Sequence, residues 1–238
     1  MAKRLRQPDR FPLTPKGLER NDDQAIRFLG IGPPRGLGRP ADPLGDLSNV
    51  RLERNCPREG VAQERALALL MGEFANIAPL LRIHSQCVTG EAFGSLRCDC
   101  AQQLHMAMAM ISKEGAGIIL YEEQKGRGIC LMAKLRAYQL QDEGLDTIDA
   151  NERLGFKADY RDYPLPVEVL KALGIIRVRL ISNNPDKVLA LERAGIRVVE
   201  RIPCEVNAAP FARHYLKTEK EKCGHLLAST FANIAELT

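Results

Sequence analysis

The stretch from residue 176 to residue 202 limits what this chain can fold into more than any other. It reads IRVRLIS (176–182), the turn NNPD, a helical stretch over 187–194, and IRVVERI (196–202). Two β-branched runs joined by one short helix make a βαβ unit, whose strands run parallel with a right-handed crossover. The expected class is therefore α/β: a mixed sheet flanked by helices, with this unit in the C-terminal half and an irregular extension before residue 60. Ligands of such sheets collect where strands hand over to loops at their carboxyl ends.

The rest of the chain supplies further elements. ALALLM (66–71) and LLRIH (80–84) are short enough to be strands. Asp99 and Gln102 have capping-box spacing, and Leu104, Ala107, Met108 and Ile111 recur at helical spacing until Gly115. GIILY (117–121) predicts a buried strand entering the Gly-rich loop QKGRG (124–128), followed by a helix to about Glu143 that Gly144 stops. Another helix is expected over 166–173, opened by Pro166 and closed by Gly174. QKGRG and SNNPDK both fall at strand carboxyl ends.

Residues 1–60 hold 12 Lys/Arg against 8 Asp/Glu, with 8 of the 14 prolines and 7 of the 19 glycines. Such a basic, Pro/Gly-rich arm resists regular packing, so the domain boundary is expected at residue 60, with residues 61–238 as the working domain. No apolar run approaches the roughly 20 residues that span a bilayer, and none follows the basic start. The expectation is a cytoplasmic protein with no membrane contact. With no aromatic platforms or basic stripe beyond the arm, nucleic acid is not an expected partner.

Seven cysteines in such a chain are not expected to form a disulfide framework, and their spacing decides more than their number. Cys87, Cys98 and Cys100 cluster in sequence, whereas Cys56, Cys130, Cys204 and Cys223 are scattered. Soft thiolates favour Zn²⁺, and three of them leave a tetrahedral ion one open position, as in catalytic zinc. Spacing alone leaves a closed four-cysteine site with Cys130, or three buried thiols, equally open.

The run RIHSQCVTGEAFGSLRCDCAQQL (82–104) resembles the zinc and substrate signature of the GTP cyclohydrolase II family of riboflavin synthesis. The likeness continues through residues 121–163, LISNNPDKV (180–188) and HYLKTEKEKCGHLL (214–227). It implies zinc-dependent hydrolysis of GTP to 2,5-diamino-6-ribosylamino-4(3H)-pyrimidinone 5′-phosphate, formate and pyrophosphate. It further implies one Zn²⁺ per subunit on Cys87, Cys98 and Cys100, Mg²⁺ with the triphosphate, and a homodimer. Arg161 matches a nucleophile toward the α-phosphate, Asp159 a proton acceptor and Tyr138 a reaction-pocket tyrosine. Arg82, Ile83, His84, Ser85, Gln86, Gln103, Lys125, Gly126, Arg127, Thr147, Ser182 and Lys187 fall on nucleotide-contacting positions.

Residue chemistry qualifies these roles. The guanidinium pKa lies above 12, so an electrostatic clamp on the α-phosphate is the alternative role for Arg161. Without the family likeness, Asp159 with Arg161 reads as a surface ion pair, Lys187 as a solvated charge and His84 as a half-buried histidine. Lys125 and Gln86 stand where the family carries glutamates, and Cys130 where it carries glycine. These departures leave two alternatives: a paralogue stopping at the formamidopyrimidine or acting on another nucleotide, and a non-catalytic zinc- or nucleotide-binding protein. No dihydroxybutanone phosphate synthase domain is recognisable, which implies a monofunctional chain.

Overall fold

The computed structural model of the chain describes residues 29–31, 48–54, 64–74, 76–124, 128–157, 159–206 and 209–227. In chain order its elements are β1 (Leu29–Ile31), β2 (Ser48–Arg54), β3 (Glu64–Met71), β4 (Leu80–Ser85), α1 (Val88–Glu91), α2 (Cys100–Glu114) and β5 (Gly117–Glu122). There follow α3 (Cys130–Asp142), α4 (Thr147–Arg153), α5 (Pro164–Ala172), β6 (Arg177–Ile181), α6 (Pro185–Arg193), β7 (Arg197–Ile202) and α7 (Arg213–Glu221).

The strands form one mixed sheet in the order β1-β2-β3-β5-β4-β6-β7. β1, β2 and β3 pair antiparallel, as do β3 and β5, while β4 pairs parallel with both β5 and β6, and β6 with β7. The β6–α6–β7 unit is the parallel βαβ expected from the sequence. Two strands, β1 and β2, fall within the first 60 residues, and β2 pairs with β3 over its whole length. No described helix is long and apolar enough to cross a membrane.

The period-2 alternation of strands divides β4 between two layers. Leu81 and Ile83 join Ile118, Leu120, Leu165, Val169, Leu170 and Leu191 in the core beneath α5 and α6. Leu80 faces the other way, with Ala107, Ile111 and Ile119 under α2. Each fully buried Leu or Ile contributes about 1.5–3 kcal/mol relative to exposure. The same alternation sends Arg82 and His84 to the α2 side, where both are buried. A strand that is apolar toward one core thus delivers two polar side chains to the other face.

Several local expectations are corrected. Asp99 does occupy the N-cap of α2, but its side chain caps no backbone N–H; it accepts instead from Gln103 Nε2 at 2.6 Å. The capping box is therefore absent, because the carboxylate has a side-chain partner one turn on. Helix α5 starts at Pro164, two residues before Pro166, since a proline suits either of the first helical positions. Helix α6 starts at Pro185 behind Asn184, whose side chain accepts from Asp186 N. Helices α4 and α7 were not expected. Asp146 caps α4 by accepting from Ile148 N and Asp149 N at 2.8 and 2.9 Å.

Candidate active site

The three clustered cysteines meet where β4 ends and α1 and α2 begin. Cys87 sits at the N-cap of α1, Cys98 on the following turn and Cys100 at the first residue of α2. Their sulfurs all lie within 4.8 Å of one another, and the Cys87 and Cys98 sulfurs are 3.6 Å apart. Among the described residues this is the one group of three or more candidate metal ligands. Gly90 is buried against it: an added Cβ would lie 3.3 Å from the Cys87 sulfur and 3.4 Å from that of Cys98. Cys130 is exposed and outside the group, so it does not close the site. It has φ of 69°, which explains why glycine suits that position.

Three soft, mutually close donors fit Zn²⁺ and leave one tetrahedral position for another ligand. Crowding separates the thiols as acids: hydrogen bonds from Cys100 and Cys98 hold Cys87 far below the ordinary thiol range. Cys98 is pushed up to about 11; hydrogen bonding with Cys100 favours its thiolate, but hydrogen bonding with Cys87 and burial outweigh that. A cation compensates the charge. Lys134 Nζ donates to Cys87 Sγ and to Thr89 Oγ1, both at 3.1 Å, and Thr89 Oγ1 lies 3.1 Å from the Tyr138 hydroxyl. Outer-shell partners of metal ligands typically matter by 10–100-fold. Lys134→Met is accordingly expected to lower turnover 10–100-fold with the metal retained, checked by turnover and metal content on one sample.

Behind the cysteines runs a belt of buried polar groups. Gln103 accepts from Arg82 at 2.6 Å, and Arg82 in turn donates to His84 Nδ1 at 3.4 Å. A guanidinium only donates, so His84 Nδ1 is the acceptor and Nε2 carries the proton, donated to Glu91 Oε1 at 2.9 Å. Glu91 also accepts from Cys87 N at 2.7 Å and from the Tyr121 hydroxyl. His84 therefore orients the cysteine turn and is no metal ligand. Burial pushes its pKa down to about 4 from 6.5, with Arg82 acting in the same direction and the Glu91 hydrogen bond opposing.

That shift sets a pH dependence. Between pH 6.5 and 4 the unfolded chain binds a proton at His84 that the folded chain refuses. The resulting stability is complete above pH 6.5 and is lost as pH falls toward 4. The expected loss is about 2 kcal/mol by pH 5, read from urea midpoints at pH 7 and 5, and His84→Asn should remove that part of the slope.

Two neighbouring cavities flank the cysteines. One is lined by the three cysteines, Ser85, Gln86, Tyr138, Thr147 and Arg161, among others. The second is lined by Arg82, Gln103, Ser182, Lys187 and Arg161, among others. Ser85, Cys100, Arg161 and Tyr215 line both. Of the residues singled out from the sequence, Ile83 buries its side chain in the core and offers only its carbonyl, to Lys187 Nζ at 2.8 Å. Lys125, Gly126 and Arg127 lie outside the described residues. Lys187 is no solvated charge: it is buried, and burial first, then Arg82 and Arg161, lowers its pKa to about 7.

Asp159 and Arg161 do form an ion pair, at 2.5 Å, but Arg161 is nearly buried and lines both cavities. Burial alone would favour the neutral guanidine; Tyr163 and the Asp159 carboxylate outweigh it and hold the group charged. Sequence reasoning missed Lys134, Glu91 and Asn151. Lys134 precedes Tyr138 by one helical turn, and Glu91 follows Cys87 by one, so i,i+4 spacing from residues already singled out was the available signal.

Comparison with known proteins agrees with this geometry. The model of the GTP cyclohydrolase II family matches residues 56–203. GTP cyclohydrolase-2 of Proteus mirabilis is 52% identical over 162 residues, covering 68% of this chain and 81% of that protein. The riboflavin biosynthesis proteins RibBA of Parabacteroides distasonis and Chlorobium phaeovibrioides are 51% and 48% identical over 162 and 167 residues. Those matches cover 68% and 70% of this chain but only 40% and 41% of the relatives, so the chain spans about two fifths of their length. A matched sequence, a converging cysteine trio and the cation-lined cavities beside it lead to one conclusion: the chain belongs to the GTP cyclohydrolase II family.

Proposed function

We propose that this chain hydrolyses GTP to 2,5-diamino-6-ribosylamino-4(3H)-pyrimidinone 5′-phosphate, formate and pyrophosphate, the entry step of riboflavin synthesis. The observation that carries the reading is the convergence of Cys87, Cys98 and Cys100 on one point of a cavity that Arg161 shares with a cationic neighbour. These cysteines would hold one Zn²⁺, which when bound polarises a substrate atom and acidifies a water at neutral pH. Family membership and the RibBA names support the substrate and the pathway.

The chain's own residues divide the remaining work. Arg82 and Arg161 would supply positive charge for the triphosphate, Lys187 would donate hydrogen bonds to it, and Mg²⁺ would add further charge when bound. Arg161, charged and tied to Asp159, acts as a clamp on the α-phosphate rather than as a nucleophile. Asp159, paired with Arg161, would accept a proton, and Tyr138, beside Thr89, would close the pocket. Ser182 and Gln103 line the cationic cavity, and Thr147 the other. The working form would be a homodimer in the cytoplasm, built on residues 61–238 with the extension 1–60 lending β2 to its sheet, and needing neither nucleic acid nor membrane.

Incubation with GTP, Zn²⁺ and Mg²⁺ followed by product analysis tests the reading. Equimolar formate and pyrophosphate are expected. Accumulation of the intact formamidopyrimidine, or no turnover of GTP, would overturn it.

A further inference from the structure

Three hydrogen-bond donors from different parts of the fold converge on one carboxylate, that of Glu91. Its Oε1 accepts from Cys87 N at 2.7 Å and from His84 Nε2 at 2.9 Å, and its Oε2 accepts from the Tyr121 hydroxyl. Glu91 N in turn donates to Cys87 O at 2.8 Å, so one residue holds the peptide groups on both sides of the Cys87 α-carbon. The side chain is only 11% exposed, which leaves water a poor substitute for it. Glu91 is not among the residues that line either cavity, so contact with substrate does not account for it.

The other partners of the carboxylate are themselves fixed. His84 and Tyr121 are paired across β4 and β5, with their rings stacked at 5.7 Å between centroids. His84 Nδ1 accepts from Arg82, which also donates to Ile181 O and to Gln103 Oε1. Gln103 then donates to Asp99, which lies between Cys98 and Cys100 in sequence. A guanidinium only donates, so the belt runs outward from Arg82 in both directions and ends on a carboxylate at each cysteine turn. Ligand atoms held in place by such outer contacts bind an ion without first having to be ordered. Resting on the reading of Cys87, Cys98 and Cys100 as metal ligands, we propose that Glu91 is a positioning residue. Its two oxygens, as acceptors, tie the Cys87 turn to β4 and β5 and so set the geometry of the metal site.

The test uses the full chain and needs no turnover. Zn²⁺ affinity is measured by competition with a chromogenic chelator, ligand geometry by the visible absorption of Co²⁺-loaded protein, and the fold by urea midpoints of metal-free protein. Glu91→Leu removes both acceptors and is expected to weaken Zn²⁺ binding about 10–100-fold and to change the Co²⁺ bands. Glu91→Gln keeps Oε1 for Cys87 N and His84, and should stay within about threefold of wild type with its bands preserved. Tyr121→Phe removes one donor oxygen, should weaken binding about threefold, and decides the matter if Glu91→Leu does not fold. Affinity within about twofold of wild type and unchanged bands in the folded leucine variant, or in Tyr121→Phe where that variant does not fold, would overturn the proposal. A loss in Glu91→Gln equal to that in Glu91→Leu would overturn it too, by assigning the effect to charge. Wild-type protein that binds neither ion would defeat the metal reading itself, and this proposal with it.

Discussion

On the proposed reading, Cys98→Ser is expected to abolish formate release from GTP and empty the metal site together, with turnover falling by about 1000-fold or more; this is the largest effect expected. The geometry gives the reason. Cys98 is buried between Cys87 and Cys100, and Gly90 packs against its sulfur. Serine keeps nearly the same volume but exchanges a soft thiolate for a hard, weakly acidic hydroxyl, which holds Zn²⁺ poorly. The two thiols left beside Lys134 would not suffice to hold the ion as a catalytic site does. Metal content by elemental analysis and formate by enzymatic assay, on the same preparation, check the result. Retained zinc with full turnover would show that Cys98 is only a buried thiol, and the functional reading would then lose its centre.

Arg161→Ala should lower pyrophosphate release by about 100–1000-fold while leaving the cysteine site loaded, since preorganised cationic donors at a developing charge have effects of that size. Arg161 lines both cavities and stays charged through its contact with Asp159. Arg161→Lys should recover little of the loss, because an ammonium lacks the planar fork that grips two phosphate oxygens and one carboxylate at once. A pyrophosphate release assay beside formate measurement separates the two halves of the reaction. Rates within tenfold of wild type would mean that Arg82 and Lys187 handle the triphosphate without it.

Much of this was legible before any fold was known, for identifiable reasons. The βαβ unit over 176–202 was readable because β-branched runs and a proline-led helix have distinct periods. The cysteine cluster was readable because chemistry at Cys98-x-Cys100 depends on residues nearly adjacent in sequence. Helix α7 escaped because its buried positions, Leu216, Thr218 and Glu219, are mostly polar and show no apolar stripe. The capping box misled because Gln103, one residue beyond the expected Gln102, claimed the Asp99 carboxylate.

The roles of single polar residues were the least legible. Lys187 looks like a surface charge in sequence, and only the fold buries it, near Arg82, and lets it donate to Ile83 O. His84 could have been ligand, base or core histidine until Arg82 on one side and Glu91 on the other assigned its tautomer.

By itself, then, the order of residues determined the fold class through local periodicity, marked Cys87, Cys98 and Cys100 as a cluster through close spacing, and carried the family through its motifs. Tertiary structure alone decided which charges are buried and that Cys130 stays away from the three clustered cysteines. Those properties depend on burial and on partners up to about 100 residues distant, as Lys187 and Ile83 are at a separation of 104. Hydrogen-bond partners so far apart along the chain leave no periodic trace in the sequence.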